Sequence, residues 1–591
     1  MHSRLTALRQ ELKTLNIGGF LQPTTDEYLN TSPLPYAKRI LWLCGFKGSM
    51  GTLIVLEHRA ALFVDSRYTL QAQNEAGALG IDIEPYGFQS IKAWLLKDQV
   101  EPFTIGIDPW VLSYADYQEL SRVFQGTPIQ VTSLKKNPID KIWQNQPPKI
   151  KNTVSIYEIE YAGESHQNKI SKIAQILKTQ DKDYLFLSNF DSIAWLLNLR
   201  GTDTPYLPFF LSYLLMDQNG NVILFADPQK FSAATLRALG PTITVVDENL
   251  VETHLIEIGR QEKTLWGPAS TTPYQVTCLL EDNGGTLYTA SDPCQLPKAL
   301  KNSTELDWMR KGHIQDGIAL VKFLAFLEEH LQDETHTEFS LATQLTQLRK
   351  ENPLCLDCSF FPISAVGPNS ALPHYKPSSE TCLPIKSSEI YLIDSGGQYK
   401  GATTDITRVL ALGGTPTAYQ KEIYTLVLKG HIAIAQAKFP KGTTGGQLDT
   451  LARSALWQRG LNYGHGTGHG VGCYLGVHEG PQAISPRNTT PLEVGMILSN
   501  EPGCYLAEQF GVRIENLIIV RQCPMTEPQE EMLEFETISL VPLDSNLIDC
   551  NLLQSHEIQW VNDYHAQVYK SLSPYLSSSL QQWLKNKTKP L

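Results

Sequence analysis

Apolar residues recur at three- and four-residue intervals through "NSTELDWMRKGHIQDGIALVKFLAFLEEHL" as far as Leu331, and this spacing predicts a long helix. Ser303 or Thr304 is read as its cap, with Asp307 in the first turn. The opening stretch, "MHSRLTALRQELKTLNIGGF", has the mixed polar and apolar spacing of an amphipathic helix. "GTLIVLEHRAALFVDSRYTLQAQNEA" reads as strand, turn, strand, then a helix beginning near Tyr68. A second α/β stretch opens with "YEIEYAGESHQNKISKIAQILKTQ", read as helical, and includes the apolar "NVILFADPQKFSAATLRAL". Both stretches carry an "LF-x-D" strand end, Leu62 to Asp65 and Leu224 to Asp227, which is compatible with a duplication or with coincidence.

These patterns divide the chain into residues 1–150, 151–300, 301–540 and 541–591. Pro147 and Pro148 in "WQNQPPKIKN", flanked by Lys149 and Lys151, mark the first boundary. The first two segments read as α/β domains. Trp560, Tyr564, Tyr569, Tyr575 and Trp583 make the last segment an element that docks onto a core or a partner.

A chain of 591 residues is too long for one core. Its 42% hydrophobic and 19% charged residues are those of a globular protein, and a net charge of −12 argues against nucleic acid as a partner. The N-terminus lacks the apolar core of a signal peptide, and the most apolar stretch, "PYLPFFLSYLLM", is short and holds two prolines. The expectation is a cytoplasmic protein without membrane contact. Ten scattered cysteines include one C-x-x-C, Cys355 and Cys358, with no second pair to complete a zinc site, so ordinary thiols are expected there.

Residues 301–540 carry the chemistry. In "EIYLIDSGGQYKGATTDITRVLAL" two strands flank turn material, and a hairpin symmetric about Tyr399 and Lys400 would set Asp394 opposite Asp405, with Cβ atoms roughly 5 Å apart. In "MILSNEPGCYLAEQFGVRIENLIIV" a hairpin turning near Glu508 would set Glu501 opposite Glu515. Facing carboxylates repel, and a cation between them reverses the sign. "NYGHGTGHGVG" has five glycines in its last nine residues, too many for a helix. Extended, it holds His465 and His469 on one face about 13 Å apart, so one is a candidate ligand and the other faces substrate. A phosphate-cradling loop would need a G-K-[ST] that is absent. Four carboxylates and one imidazole suit a pair of Mn²⁺ ions, with Co²⁺ or Zn²⁺ as alternatives.

"IDSGGQYKGATTDITR", "GHGTGHGVG", "VHEGP", "SNEPGCY" and "GVRIEN", in that order, resemble the pita-bread metallopeptidases, in particular the large three-domain Xaa-Pro aminopeptidases. "KNSTELDWMRKGHIQDGIAL" and "CGFKGSMGTLIVLEHRAALFVDSRYTLQA" extend the resemblance over nearly the whole chain. It implies two creatinase-like α/β domains before an α+β pita-bread catalytic domain, and metal ligands at Asp394, Asp405, His469, Glu501 and Glu515. Asp405 and Glu515 would bridge the two ions. His374 in "ALPHYKP", His465 and His478 in "VHEGP" match active-site histidines, and Arg513 matches an arginine two residues before the last ligand.

The implied activity is removal of the first residue from short peptides with proline second, by a metal-activated hydroxide. Glu501 would pass a proton to the departing nitrogen. His374 and His478 would steady the oxyanion and the substrate carbonyls, while His465 and Arg513 would shape the proline side. The resemblance also implies a homodimer formed through the C-terminal segment. The alternatives are a prolidase, which cleaves only Xaa-Pro dipeptides, and a non-catalytic pita-bread module that binds peptides or proteins.

Overall fold

The computed structural model describes residues 1–65, 68–97, 101–330, 336–387, 389–524 and 530–591. Two units divide the chain. One comprises Met1–Ile156, His166–Thr204 and Phe210–Pro293; the other comprises Tyr157–Ser165, Pro205–Phe209 and Cys294–Leu591.

The first unit holds two six-stranded mixed sheets. In one, the strands run in the order Asp82–Pro85, Ala60–Val64, Gly51–Leu56, Gly19–Pro23, Phe103–Ile107 and Ile129–Ser133. In the other the order is Ile243–Val246, Val222–Phe225, Tyr213–Asp217, Tyr184–Leu187, Thr264–Trp266 and Thr286–Tyr288. Numbered along the chain, each sheet has the spatial order 4-3-2-1-5-6. The successive pairings are parallel, antiparallel, antiparallel, parallel and parallel in both. Leu62 and Leu224 sit on the third strand of their sheets, so the two "LF-x-D" stretches occupy equivalent places. Shared topology with a matched strand end favours duplication over coincidence. Sequence periodicity is obeyed locally: helix His2–Thr14 buries Leu5, Leu8 and Leu12.

The second unit is built on antiparallel pairing. A six-stranded sheet runs Lys438–Pro440, Met532–Thr537, Asn516–Gln522, Ile497–Asn500, Gly468–Gly470 and Glu479–Ile484. A three-stranded sheet holds Ile363–Val366, Ile390–Ser395 and Ile406–Ala411. Helices Ser303–Glu329, Glu338–Lys350, Ala418–Ala435 and Gly445–Trp457 pack around them. The predicted long helix forms, but Asn302 caps it rather than Ser303 or Thr304. The Asn302 side chain accepts the Glu305 amide while the Glu305 carboxylate accepts the Asn302 amide, a complete capping box. Leu331 lies outside the described residues.

The stretch read as one helix from Tyr157 is two, Ile159–Ala162 and His166–Thr179, broken at Gly163, which adopts φ +67°. Tyr157–Ser165 belongs to the second unit instead of opening the second α/β segment. Tyr161 packs on Trp308, whose indole N–H donates to the Glu160 carbonyl at 2.8 Å. That packing partner is too distant in sequence for local periodicity to register.

Of the C-terminal aromatics, Trp560, Tyr564, Tyr569 and Trp583 join the main core of this unit, and Tyr575 is exposed. They dock within their own chain. All ten cysteines are free; Cys358 is buried and Cys355 half-buried. Among the described residues no helix is long and apolar enough to cross a membrane.

His431 and His565 are fully buried in the second unit. Burial, with the Arg408 charge second, pushes His431 down to about 3 and His565 down to about 4. His565 Nε2 accepts the Leu543 amide, a bond that protonation would break. An unfolded histidine titrates near 6.5, so below that pH the unfolded chain binds protons that the folded chain refuses. The stability contributed by each imidazole is complete above about pH 6.5 and is lost as the pH falls toward about 4, at about 1.4 kcal/mol per unit. Calorimetry between about pH 7.5 and 5 should show a shallower loss of unfolding temperature for His565→Gln than for the parent. Equal slopes would remove His565 from this account.

Candidate metal centre

Two interrupted hairpins of the second unit bring the acidic residues together. Strands Ile497–Asn500 and Asn516–Gln522 pair Asn500 with Asn516, and beyond a break Gly503–Leu506 pairs with Phe510–Arg513 in the same register. Glu501 and Glu515 occupy matching places in the break, as expected from a turn at Glu508. The other hairpin differs from expectation. Tyr399 pairs with Ala402, so the turn is Lys400–Gly401, and Asp394 faces Thr407 rather than Asp405. Gly401 takes φ +85°, the conformation demanded at the third position of a type II turn, which moves the pivot one residue along. Asp405 lies instead between strands Ala402–Thr403 and Ile406–Ala411.

One ligand atom each from Asp405, His469 and Glu515 lie within 4.8 Å of one another. His469 Nε2 stands 3.6 Å from Asp405 Oδ2 and 3.4 Å from Glu501 Oε1. The Nδ1–H of His469 donates to the Gly470 carbonyl at 2.9 Å, which leaves the Nε2 lone pair facing those carboxylates. Asp394 Oδ2 accepts from Arg513 Nη2 at 2.6 Å, and Glu515 Oε2 accepts from the Thr407 hydroxyl at 2.7 Å. Asp394 Oδ1 and Asp405 Oδ1 are buried with no hydrogen-bond partner.

Burial first, and the neighbouring carboxylates next, push Asp405 and Glu515 well above the ordinary carboxylate range. Burial also raises Glu501. Buried like charges, orphaned carboxylate oxygens and an imidazole lone pair aimed at them make a donor set that fits hard divalent cations.

The other histidines predicted for the site are beside it. The His478 ring is 4.2 Å from that of His469, and this neighbouring imidazole first, with burial second, holds His478 down at about 3. His465 is also lowered to about 3, by burial first and Arg513 second. His374, exposed on a turn, is near enough for its charge to act on both. His465 donates Nδ1–H to the Gly466 carbonyl at 2.7 Å and accepts the Tyr505 hydroxyl at Nε2 at 2.8 Å. Arg513 is buried, and donates to Asp394, to the Tyr505 oxygen at 2.7 Å and to the Thr407 hydroxyl at 3.2 Å. His465 and His469 therefore serve different neighbours, as their extended spacing suggests.

Sequence reasoning missed Tyr505, Thr407 and Ser499, whose hydroxyl donates to Glu501 at 3.1 Å. The available signal was a polar residue inside an otherwise apolar strand next to a candidate ligand.

The family model described as Metallopeptidase family M24 matches residues 307–522. A Probable Xaa-Pro aminopeptidase P of Laccaria bicolor is 38% identical to the chain, covering 100% of it and 93% of the relative. The chain belongs to metallopeptidase family M24. Other parts of it match M24 architecture: two models of the Creatinase/Prolidase N-terminal domain fit residues 4–140 and 145–305, and the C-terminal region of peptidase M24 fits 531–591. The human Xaa-Pro aminopeptidase 2 is 36% identical over 99% of the chain and 88% of its own length. The crystal structure of an X-prolyl aminopeptidase from Caenorhabditis elegans superposes with a TM-score of 0.92 at 31% identity, over 100% of this chain and 99% of the other. That protein is described as a cytosolic enzyme with a di-nuclear active site. The fold is thus creatinase-type N-terminal domains followed by an M24 pita-bread catalytic domain.

Proposed function

We propose that the chain is a metal-dependent Xaa-Pro aminopeptidase that removes the first residue from short peptides with proline second. The observation carrying this reading is the meeting of buried Asp405 and Glu515 with half-buried His469, with the orphaned oxygens of Asp394 and Asp405 alongside. The full-length likeness to Xaa-Pro aminopeptidases supports the substrate class.

In this reading Asp394, Asp405, His469, Glu501 and Glu515 would hold two divalent cations, with Asp405 and Glu515 as the ligands the two would share. When bound, such a pair polarises a carbonyl and acidifies a water. Mn²⁺ is the proposed metal, because carboxylate oxygens dominate the donor set. Glu501 would carry the proton toward the proline nitrogen, which has no hydrogen of its own in the tertiary amide. His478 and His465 are held neutral at working pH. Both nitrogens of His465 are taken by the Gly466 carbonyl and the Tyr505 hydroxyl, so it presents a ring face or edge rather than a charge. His374 and His478 meet substrate carbonyls, and His465 bounds the proline side. Arg513 holds Asp394 in place and reaches His465 through Tyr505. The reading includes a cytosolic homodimer, supported by the description of the nematode relative as cytosolic and by the resemblance of the C-terminal segment to dimer-forming elements.

The decisive assay gives chelator-stripped, Mn²⁺-reloaded protein a tripeptide Xaa-Pro-Xaa and a dipeptide Xaa-Pro side by side. Release of the first residue from the tripeptide is expected. Cleavage of the dipeptide alone would make it a prolidase. No cleavage and no bound metal would leave a binding module.

A further inference from the structure

The segment 462–467 is rich in glycine, so its backbone has little intrinsic preference for one shape. What holds it is a buried ion pair one helix away. Asp449 and Arg453 lie four residues apart on helix Gly445–Trp457 and are 2% and 4% exposed. Arg453 Nε and Nη2 donate to the two Asp449 oxygens at 2.6 and 3.1 Å. Its remaining donors all go to the glycine-rich segment: Nη1 to Asn462 Oδ1 at 3.0 Å and to the Tyr463 carbonyl at 2.7 Å, and Nη2 to the His465 carbonyl at 2.7 Å. The five N–H donors of a guanidinium are thereby used without remainder. The guanidinium also sits 3.9 Å from the centre of the Tyr463 ring.

Asp449 fastens the far end of the segment. Its Oδ1 accepts the Thr467 hydroxyl at 2.6 Å, and the Thr467 carbonyl accepts the Glu501 amide at 2.7 Å. The two ends of the turn are gripped by one pair, with His465 between them.

We propose that Arg453, held by Asp449, is a positioning residue that orients His465 toward substrate. It touches neither substrate nor metal ligand side chains; it acts on the carbonyls of Tyr463 and His465, and so on where the His465 imidazole points. Only a planar fork can meet an acidic residue, an amide oxygen and two carbonyls at once, so lysine is a poor substitute. The inference rests on the reading of His465 as a substrate-facing group.

A double-mutant cycle separates positioning from support of the fold. kcat/KM for a Xaa-Pro-Xaa peptide is measured on Mn²⁺-loaded full-length protein, well below the unfolding temperature, for Arg453→Met, His465→Ala and the double variant. Arg453→Met is expected to lower kcat/KM about 10- to 100-fold, as for other groups that orient a site residue. In the His465→Ala background the same change should lower it less than about threefold, because the group it positions is gone. Losses that multiply in the double variant would overturn the proposal, as would a lower unfolding temperature with unchanged kcat/KM. A neutral His465→Ala would overturn the reading of His465 and the proposal with it. If Arg453→Met does not fold, Arg453→Lys, which keeps the buried charge but not the fork, takes its place in the same cycle.

Discussion

Asp405→Asn is expected to lower kcat/KM for a Xaa-Pro-Xaa peptide by about 10³-fold or more, while raising the unfolding temperature of the metal-stripped protein. Cations at such a site contribute several kcal/mol of transition-state stabilisation, and each 1.36 kcal/mol is tenfold in rate, so disrupting a position proposed to serve both cations gives an expected loss of roughly this size. The gain in stability follows from the same carboxylates. Burial, Asp394 and Glu501 hold Asp405 well above its ordinary value of 3.8 in the folded state. For an acid with a raised folded pKa, the stabilising contribution is complete at low pH and is lost as pH rises past the unfolded value. At neutral pH the carboxyl, which ionises freely in the unfolded chain and is resisted from doing so in the folded one, therefore opposes folding, and an amide, which does not ionise, removes that opposition. Activity assays, metal analysis and thermal unfolding with and without chelator check both halves. Retention of more than about a tenth of the parent kcat/KM would overturn the dinuclear reading of the site. An unchanged unfolding temperature in the stripped protein would mean that the carboxylates are already relieved of their repulsion.

The asymmetry between the two acidic hairpins shows what local sequence can reveal. Glu501 and Glu515 were legible because strand-like stretches flank Glu508 on both sides, and the two short ladders keep one register across the break. Asp394 and Asp405 were legible as neighbours but not as a register. The pivot depended on which of Lys400 and Gly401 takes positive φ, and glycine takes it at no steric cost. The long helix was visible in its period, whereas its start depended on a reciprocal bond between Asn302 and Glu305. The paired α/β sheets were foreshadowed by four residues and established by topology. Tyr505, Thr407, Asp449 and Arg453 form a third category. Their roles lie in side-chain hydrogen bonds between different elements, which leave no periodicity to read.

Arg408 belongs with them, and Arg408→Met is expected to destabilise the second unit by about 3–5 kcal/mol. Its side chain is 1% exposed. Nη1 donates to the carbonyls of Thr407 and Glu515 at 2.8 and 2.7 Å. Nη2 lies 2.8 Å from Asn516 Oδ1, 2.8 Å from the Val541 carbonyl and 2.7 Å from the Tyr564 oxygen. One cation thus joins the strand after Asp405, the backbone of Glu515 and the C-terminal helix Ser555–Leu572. Methionine keeps most of the apolar stem but supplies no donor, so several buried acceptors lose their partner, each at a cost of about 1–3 kcal/mol where water cannot enter. The loss should lower the calorimetric transition of this unit by roughly 6–20 °C. Tyr564→Phe, which removes one of these acceptors together with its own hydroxyl, should have a smaller effect. A shift below about 2 °C for Arg408→Met would mean that water or a rearranged Asn516 satisfies the acceptors. Because the carbonyl of Glu515 is one of them, the fall in stability should be accompanied by weaker metal retention, which joins the C-terminal helix to the catalytic centre through a single side chain.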